Sequence, residues 1–156
     1  MSKVEYPSQA FPAYPHVLLE IPDKWEELNA PGSLLAVKHD RGSEQFSPNV
    51  ILSILRDEAS ISLADSVKGI KAYINSLGTA ILYEQAIKLD DKDWYVAEFG
   101  RTIEGAGAII QVVATTVVQN GPIVDTIRLT GSAALEDHEV GLKEVREIIA
   151  SARISL

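Results

Sequence analysis

Three histidines, an aspartate run and a glycine-rich stretch are the parts of this chain whose residue types suit metal binding or catalysis. His16, His39 and His138 stand far apart, and none has another histidine at the spacing that sets two ligands on one helix face. His138 lies in the acidic stretch Glu136–Glu139. Adjacent residues at a helix start point in different directions, so Asp137, His138 and Glu139 do not converge on one ion. Asp90, Asp91 and Asp93 have the composition of a calcium loop, which needs glycine at its sixth position and a bidentate glutamate at its twelfth. Counted from Asp90, those positions hold Tyr95 and Arg101. A solvated hairpin turn fits the aspartates better. Gly100–Gly107 reads Gly-Arg-Thr-Ile-Glu-Gly-Ala-Gly and joins two strands, so it is a hairpin loop and not a phosphate cradle opening a helix. There is no cysteine and no Gly-X-Ser-X-Gly elbow. The expectation is no catalytic residue, no cofactor and no metal.

Composition narrows the class further. The chain has 156 residues, 46% hydrophobic and 23% charged, the balance of one folded domain. Its net charge is −8, from 22 acidic and 14 basic residues. The basic residues are scattered, so phosphate neutralisation would be poor and a nucleic-acid partner is not expected. The longest apolar run, Ala106–Val118, is broken by Gly107, Gln111, Thr115 and Thr116 and is too short to span a bilayer. No membrane insertion is expected. Met1–Pro7 carries no apolar leader and no lipobox cysteine. This predicts a cytoplasmic location.

The elements that would position any site follow from periodicity. Residues 1–14 have none and read as an irregular arm, with a single domain over 15–156. Val17–Ile21, Leu34–Lys38 and Val50–Leu55 read as strands, with Trp25 and Leu28 in a turn or short helix between the first two. A helix follows, capped by Ser62 with Asp65 in the capping-box position. Leu63, Val67, Ile70, Ile74 and Leu77 share its apolar face, and Gly78 stands where a left-handed cap belongs. The period then changes to two. Strands follow from Ile81, over Trp94–Phe99, over Ile109–Gln119 and over Ile123–Leu129, with turns at Asp90–Asp93 and Asn120-Gly121. A final helix is capped by Asp137 and buries Val145, Ile148, Ile149 and Ala152. The order is βββ-α-ββββ-α: an α+β chain with an antiparallel sheet of six to seven strands and helices packed on it.

On the long hairpin strand Ile110, Val112, Ala114, Thr116 and Val118 share one face, while Gln111, Val113, Thr115, Val117 and Gln119 share the other. The second face is mixed, which suits a covering helix or a partner. The two helices are therefore expected on opposite sides of the sheet.

These residues resemble a known superfamily. Leu19–Trp25 is similar to the strand, proline, polar turn and tryptophan that open Mog1/PsbP-like domains. Phe46-Ser47-Pro48-Asn49-Val50 resembles the stretch entering the third strand in the actinobacterial LpqN/LpqT-like branch, without that branch's lipoprotein signal. The helix from Ser62, the hairpin at Asn120-Gly121 and the closing segment Ile148–Ile154 fall in the same order, covering about residues 15–155. The resemblance implies an α/β/α sandwich and a non-catalytic accessory or adaptor role, binding a protein partner. The contacts expected for such a partner are Gln111, Thr115 and Gln119 on the mixed face, with Trp25 near its rim. A second reading is a small-molecule binder or enzyme with a pocket between helix and sheet, using Tyr83, Tyr95 and Arg128. A third is a self-associating protein, a homo-oligomer.

Overall fold

Alternating residues and tight turns carry most of the chain into one large antiparallel sheet. The computed structural model describes residues 1–156. Its strands are β1 (His16–Leu18), β2 (Trp25–Glu27), β3 (Leu35–His39), β4 (Asn49–Glu58), β5 (Ile81–Leu89), β6 (Lys92–Ile103), β7 (Gly107–Asn120), β8 (Ile123–Ala134) and β9 (Arg153–Ser155). The helices are α1 (Leu63–Ser76) and α2 (Lys143–Ala150). Seven strands form the main sheet in the order β2-β3-β4-β8-β7-β6-β5, and β1 pairs with β9 in a separate two-stranded ribbon. Every pairing is antiparallel. The α+β class and the helices on opposite faces agree with the sequence.

Two assignments change. Trp25 is in a strand, because Trp25 pairs with His39 and Glu27 with Val37 at the edge of the sheet. The segment at Val17 leaves the main sheet and pairs instead with the chain end, Val17 opposite Ile154. Both pieces are only three residues long, too short for a period to show.

Local chemistry explains the connections. Asp90 and Asp91 join β5 to β6 with φ of 51° and 63°. Positive φ at both central residues is the turn whose twist matches a hairpin, and aspartate tolerates it. α1 has a complete capping box: Ser62 Oγ accepts from Asp65 N–H, and the Asp65 carboxylate accepts from Ser62 N–H at 2.8 Å. α2 is entered through a wide π-type turn over His138–Leu142, where the Asp137 carboxylate accepts the Gly141 N–H at 3.1 Å. Gly141 permits that turn, since a Cβ there would lie 2.4 Å from Asp137 Oδ2.

The two faces of the sheet carry separate cores. Ile110, Val112, Ala114 and Val118 of β7 pack with Val145, Ile148 and Ile149 of α2 in the larger core. Val113 packs with Tyr95, Ala97, Phe99 and the buried Ile70 and Ile74 of α1 in the smaller. The first fifteen residues hold no helix or strand and lie against the β7–β8 hairpin, where Asn120 Nδ2 donates to Ala13 O at 2.9 Å. No helix is long and apolar enough to cross a membrane.

Candidate functional site

Placement of the helices leaves one part of the sheet uncovered. α2 packs over β8, β4 and β7, while β5 is the sheet edge two strands beyond β7. The α2-side face of β5 and β6 therefore stays open next to the helix, forming a groove of about 520 Å³. Its floor is apolar: Ile87, Val96 and Val112, one from each of β5, β6 and β7. Ile149 and Ala150 of α2 form one wall. Tyr83, Gln85, Glu98 and Arg146 supply its polar groups.

Those polar groups are largely engaged with one another. Arg146 reaches down from α2 and donates through Nε and Nη2 to both oxygens of Glu98, at 2.8 and 2.7 Å. The Glu98 side chain is 9% exposed and that of Arg146 53%. The pair is charge-assisted and bidentate, the strong geometry for arginine and carboxylate. Donation to Glu98 holds the Arg146 guanidinium above its ordinary basicity, against the opposing effect of burial. Tyr83 donates its hydroxyl to Gln85. The groove thus offers an apolar floor beside a neutralised ion pair, of which Arg146 is the half-exposed member.

Of the pocket and partner contacts expected from sequence, Tyr83 alone lines this groove. Tyr95 is on the opposite face, where its hydroxyl donates to Glu84 at 2.6 Å. Burial first, and that bond second, push its pKa well above the usual phenol value. Arg128 lies opposite Thr115 on the α1 side, with its Nε buried and unpartnered. Burial lowers its pKa.

Nor does the fold bring Trp25, Gln111, Thr115 and Gln119 together. Thr115 is wholly buried under α1, donating to Ile127 O at 3.2 Å and bonded to Ser66 Oγ at 2.9 Å. Gln111 and Gln119 sit near opposite ends of β7, roughly 27 Å apart at the rise of a strand. Gln111 is half-buried between Arg101 and Ser132, and Gln119 bonds to the carbonyls of Gly121 and Ile123 at the hairpin tip. Trp25 is buried on the α2 side, and its indole N–H donates to Glu144 at 3.2 Å. The mixed polarity of that strand face reflects hydrogen bonds made inside the molecule.

The histidines are dispersed too. His39 lies 2.9 Å from Arg41 Nη1 and 3.8 Å from Glu144, while Arg41 Nη2 donates to Asp137 at 3.0 Å. This chain of contacts ties β3 to the start of α2. His138 bonds to Leu135 O, and His16 is on the exposed β1. Sequence reading missed Glu98 and Arg146. They are 48 residues apart, and no motif surrounds either.

No family model matches the chain, and no curated protein sequence matches it. Solved structures do. The crystal structure of LpqN, involved in cell envelope biogenesis of Mycobacterium tuberculosis, covers 98% of this chain and 89% of its own, with a TM-score of 0.79 at 14% identity. The Saccharomyces cerevisiae Ran-binding protein Mog1p covers 88% of this chain and 89% of its own, with a TM-score of 0.55 at 9% identity. The cyanobacterial PsbP of Synechocystis covers 88% and 92%, with a TM-score of 0.54 at 12% identity. At these identities the likeness carries the architecture and not the activity. The chain has the Mog1/PsbP-like fold, shared over nearly its whole length with LpqN.

Proposed function

We propose that this protein is a non-catalytic accessory or adaptor protein that binds a protein partner in the groove between α2 and β5. The observation that carries this reading is the state of the groove's polar groups. Both oxygens of Glu98 accept from Arg146, so the carboxylate holds the wall of the groove in place. An apolar floor beside a neutral ion pair suits an apolar side chain of a partner, with Arg146 at the rim for a carbonyl or carboxylate. Mog1p, which shares the fold, is a Ran-binding protein, which supports the class of role without naming a partner here.

Photo-crosslinking from defined positions tests this. A photo-reactive residue at Gln85 or Ala150, in the groove, is expected to capture one protein from the native host's lysate. The same residue at Gln119, at the hairpin tip, is expected to capture none. Equal capture from all three positions, or none from the groove, sinks the reading.

The groove volume supports a second reading. About 520 Å³ lies within the range that takes a small molecule. A rise in melting temperature with a metabolite, abolished by Ala150→Trp, would move the assignment to that class.

A further inference from the structure

We infer that the exposed edge of β5 pairs with the same edge of a second copy, in the register that sets Ala86 on the two-fold axis. The main sheet ends at β2 and β5. β2 offers only 3 residues, whereas β5 offers 9. A long edge with unpaired backbone groups is a template for another strand, and proteins usually blunt it with proline, short length or charged side chains, of which β5 has Glu84 and Lys88. β5 contains no proline and no glycine, and its one irregularity falls at its start, between Ile81 and Tyr83. Leu82–Ala86 are all exposed. Depressions of about 520 and 430 Å³ flank the strand on its two faces, leaving room for the side chains of an added strand.

The charges select the occupant. Glu84 and Lys88 are opposite in sign and equidistant from Ala86. In an antiparallel pairing centred on Ala86, Glu84 of each copy faces Lys88 of the other, giving two equivalent ion pairs. Moving the axis to Gln85 sets Glu84 against Ala86 and Lys88 against Leu82. Moving it to Ile87 sets Glu84 against Asp90, like charges that repel. Only the Ala86 register sets an opposite charge against both, beside the 2.9 Å bond that Lys88 already donates to Asp93. Glu84 keeps its bond from Tyr95 and its 3.7 Å contact with Lys71, with its side chain 47% exposed, so a carboxylate lone pair remains available.

The same symmetry bears on the groove. A two-fold axis normal to the sheet keeps the α2-side faces together, and Gln85 of one copy then faces Ile87 of the other. Each copy would extend the floor of its neighbour's groove across the seam. The pairing is tested apart from what the groove holds: the seam is read from the mass of the chain and the groove from capture at Ala150, because a crosslinker at Gln85 would also capture the second copy.

The absence of cysteine makes the test clean. Directly opposed residues of an antiparallel pair have Cα atoms about 4.5–5.5 Å apart, within disulfide range. Ala86→Cys is expected to give a disulfide-linked dimer under mild oxidation. Leu82→Cys, offset from its own copy by roughly 27 Å in this register, is expected to give none. Sedimentation of the unmodified chain at about 100 µM should show twice the 17.0 kDa chain mass. Glu84→Lys or Lys88→Glu alone should raise the dimer dissociation constant roughly tenfold, and the double swap should restore it to within about threefold. That rescue separates the seam from the lost Tyr95 bond. A strict monomer, equal crosslinking at 82 and 86, or a β5 edge that captures a foreign peptide strand while the chain stays monomeric would each overturn the inference.

Discussion

Gly131 on β8 lies directly beneath Val145 of α2: a Cβ at residue 131 would stand 2.2 Å from Val145 Cγ1 and 3.3 Å from Ile149 Cδ1. Both neighbours are fixed in the larger core, so glycine sets how closely the helix approaches the sheet. Gly131→Ala is expected to destabilise the fold by about 3 kcal/mol, the upper end of overpacking costs. Val145→Ala added to it should recover part of the loss, since the contacts that remain, Ile149 Cδ1 at 3.3 Å and Val145 Cβ at 3.6 Å, are far less severe. Urea denaturation of the two variants and of Val145→Ala alone checks this, and strictly additive losses would exclude the clash.

The buried ion pair at the far end of the sheet makes a second prediction. Asp125 is wholly buried and accepts from Arg56 Nε at 2.8 Å, Arg56 Nη2 at 3.1 Å and Asn120 Nδ2 at 2.9 Å. The Tyr14 ring stacks on Arg56, with the guanidinium carbon 4.5 Å from its centroid. Arg56→Met strands a carboxylate in the interior and should cost about 3–5 kcal/mol, while Arg56→Met with Asp125→Leu should cost much less. Chemical denaturation measures both. Equal losses in the single and double variants would show that packing, not charge, dominates there.

How far the sequence foretells these features depends on whether the signal is local. Ser62, Asp65 and Gly78 bracket α1, because capping chemistry acts within a few residues of itself. Asp90-Asp91 marks its turn for the same reason. β2 and β9 do not show, since three residues carry no period and their pairing is fixed by distant partners, His39 and Val17. The face of Gln111, Thr115 and Gln119 is legible as mixed, but its meaning is not: Ser66 and Ile127, which bind Thr115, come from other elements. The groove is illegible for a like reason. It is a gap left by where α2 ends and where the sheet stops, and Glu98 finds Arg146 only after both have folded.

Arg146 gives the prediction that separates the groove's structure from its use. Arg146→Ala leaves the nearly buried Glu98 carboxylate without its two donors. It should destabilise by about 2 kcal/mol, less than a fully interior pair because Arg146 is half-exposed. Ala150→Trp projects from an exposed position of α2 into the groove and should leave the denaturation midpoint nearly unchanged. Both are expected to lose the crosslinked partner, the second without loss of stability. Partner capture that survives Ala150→Trp would place binding elsewhere.

Alkaline stability tests the other side of β5. The Tyr95 hydroxyl is held neutral by burial and by donation to Glu84, so its pKa in the folded chain lies above the unfolded value. A group raised on folding contributes stability that is complete below its unfolded pKa, about 10 for tyrosine. That contribution is lost as pH rises from there toward the folded value, because the unfolded chain gives up the proton first. Stability should therefore fall with pH above about 10, in the window where the unfolded phenol ionises and the folded one does not. Tyr95→Phe removes the titrating group along with one hydrogen bond. It should be less stable than the parent near neutrality and lose stability less steeply above pH 10. Unfolding free energies for both proteins at a series of pH values give the two slopes. Parallel slopes would mean that Tyr95 is not held neutral against Glu84, and that the alkaline transition belongs to other groups.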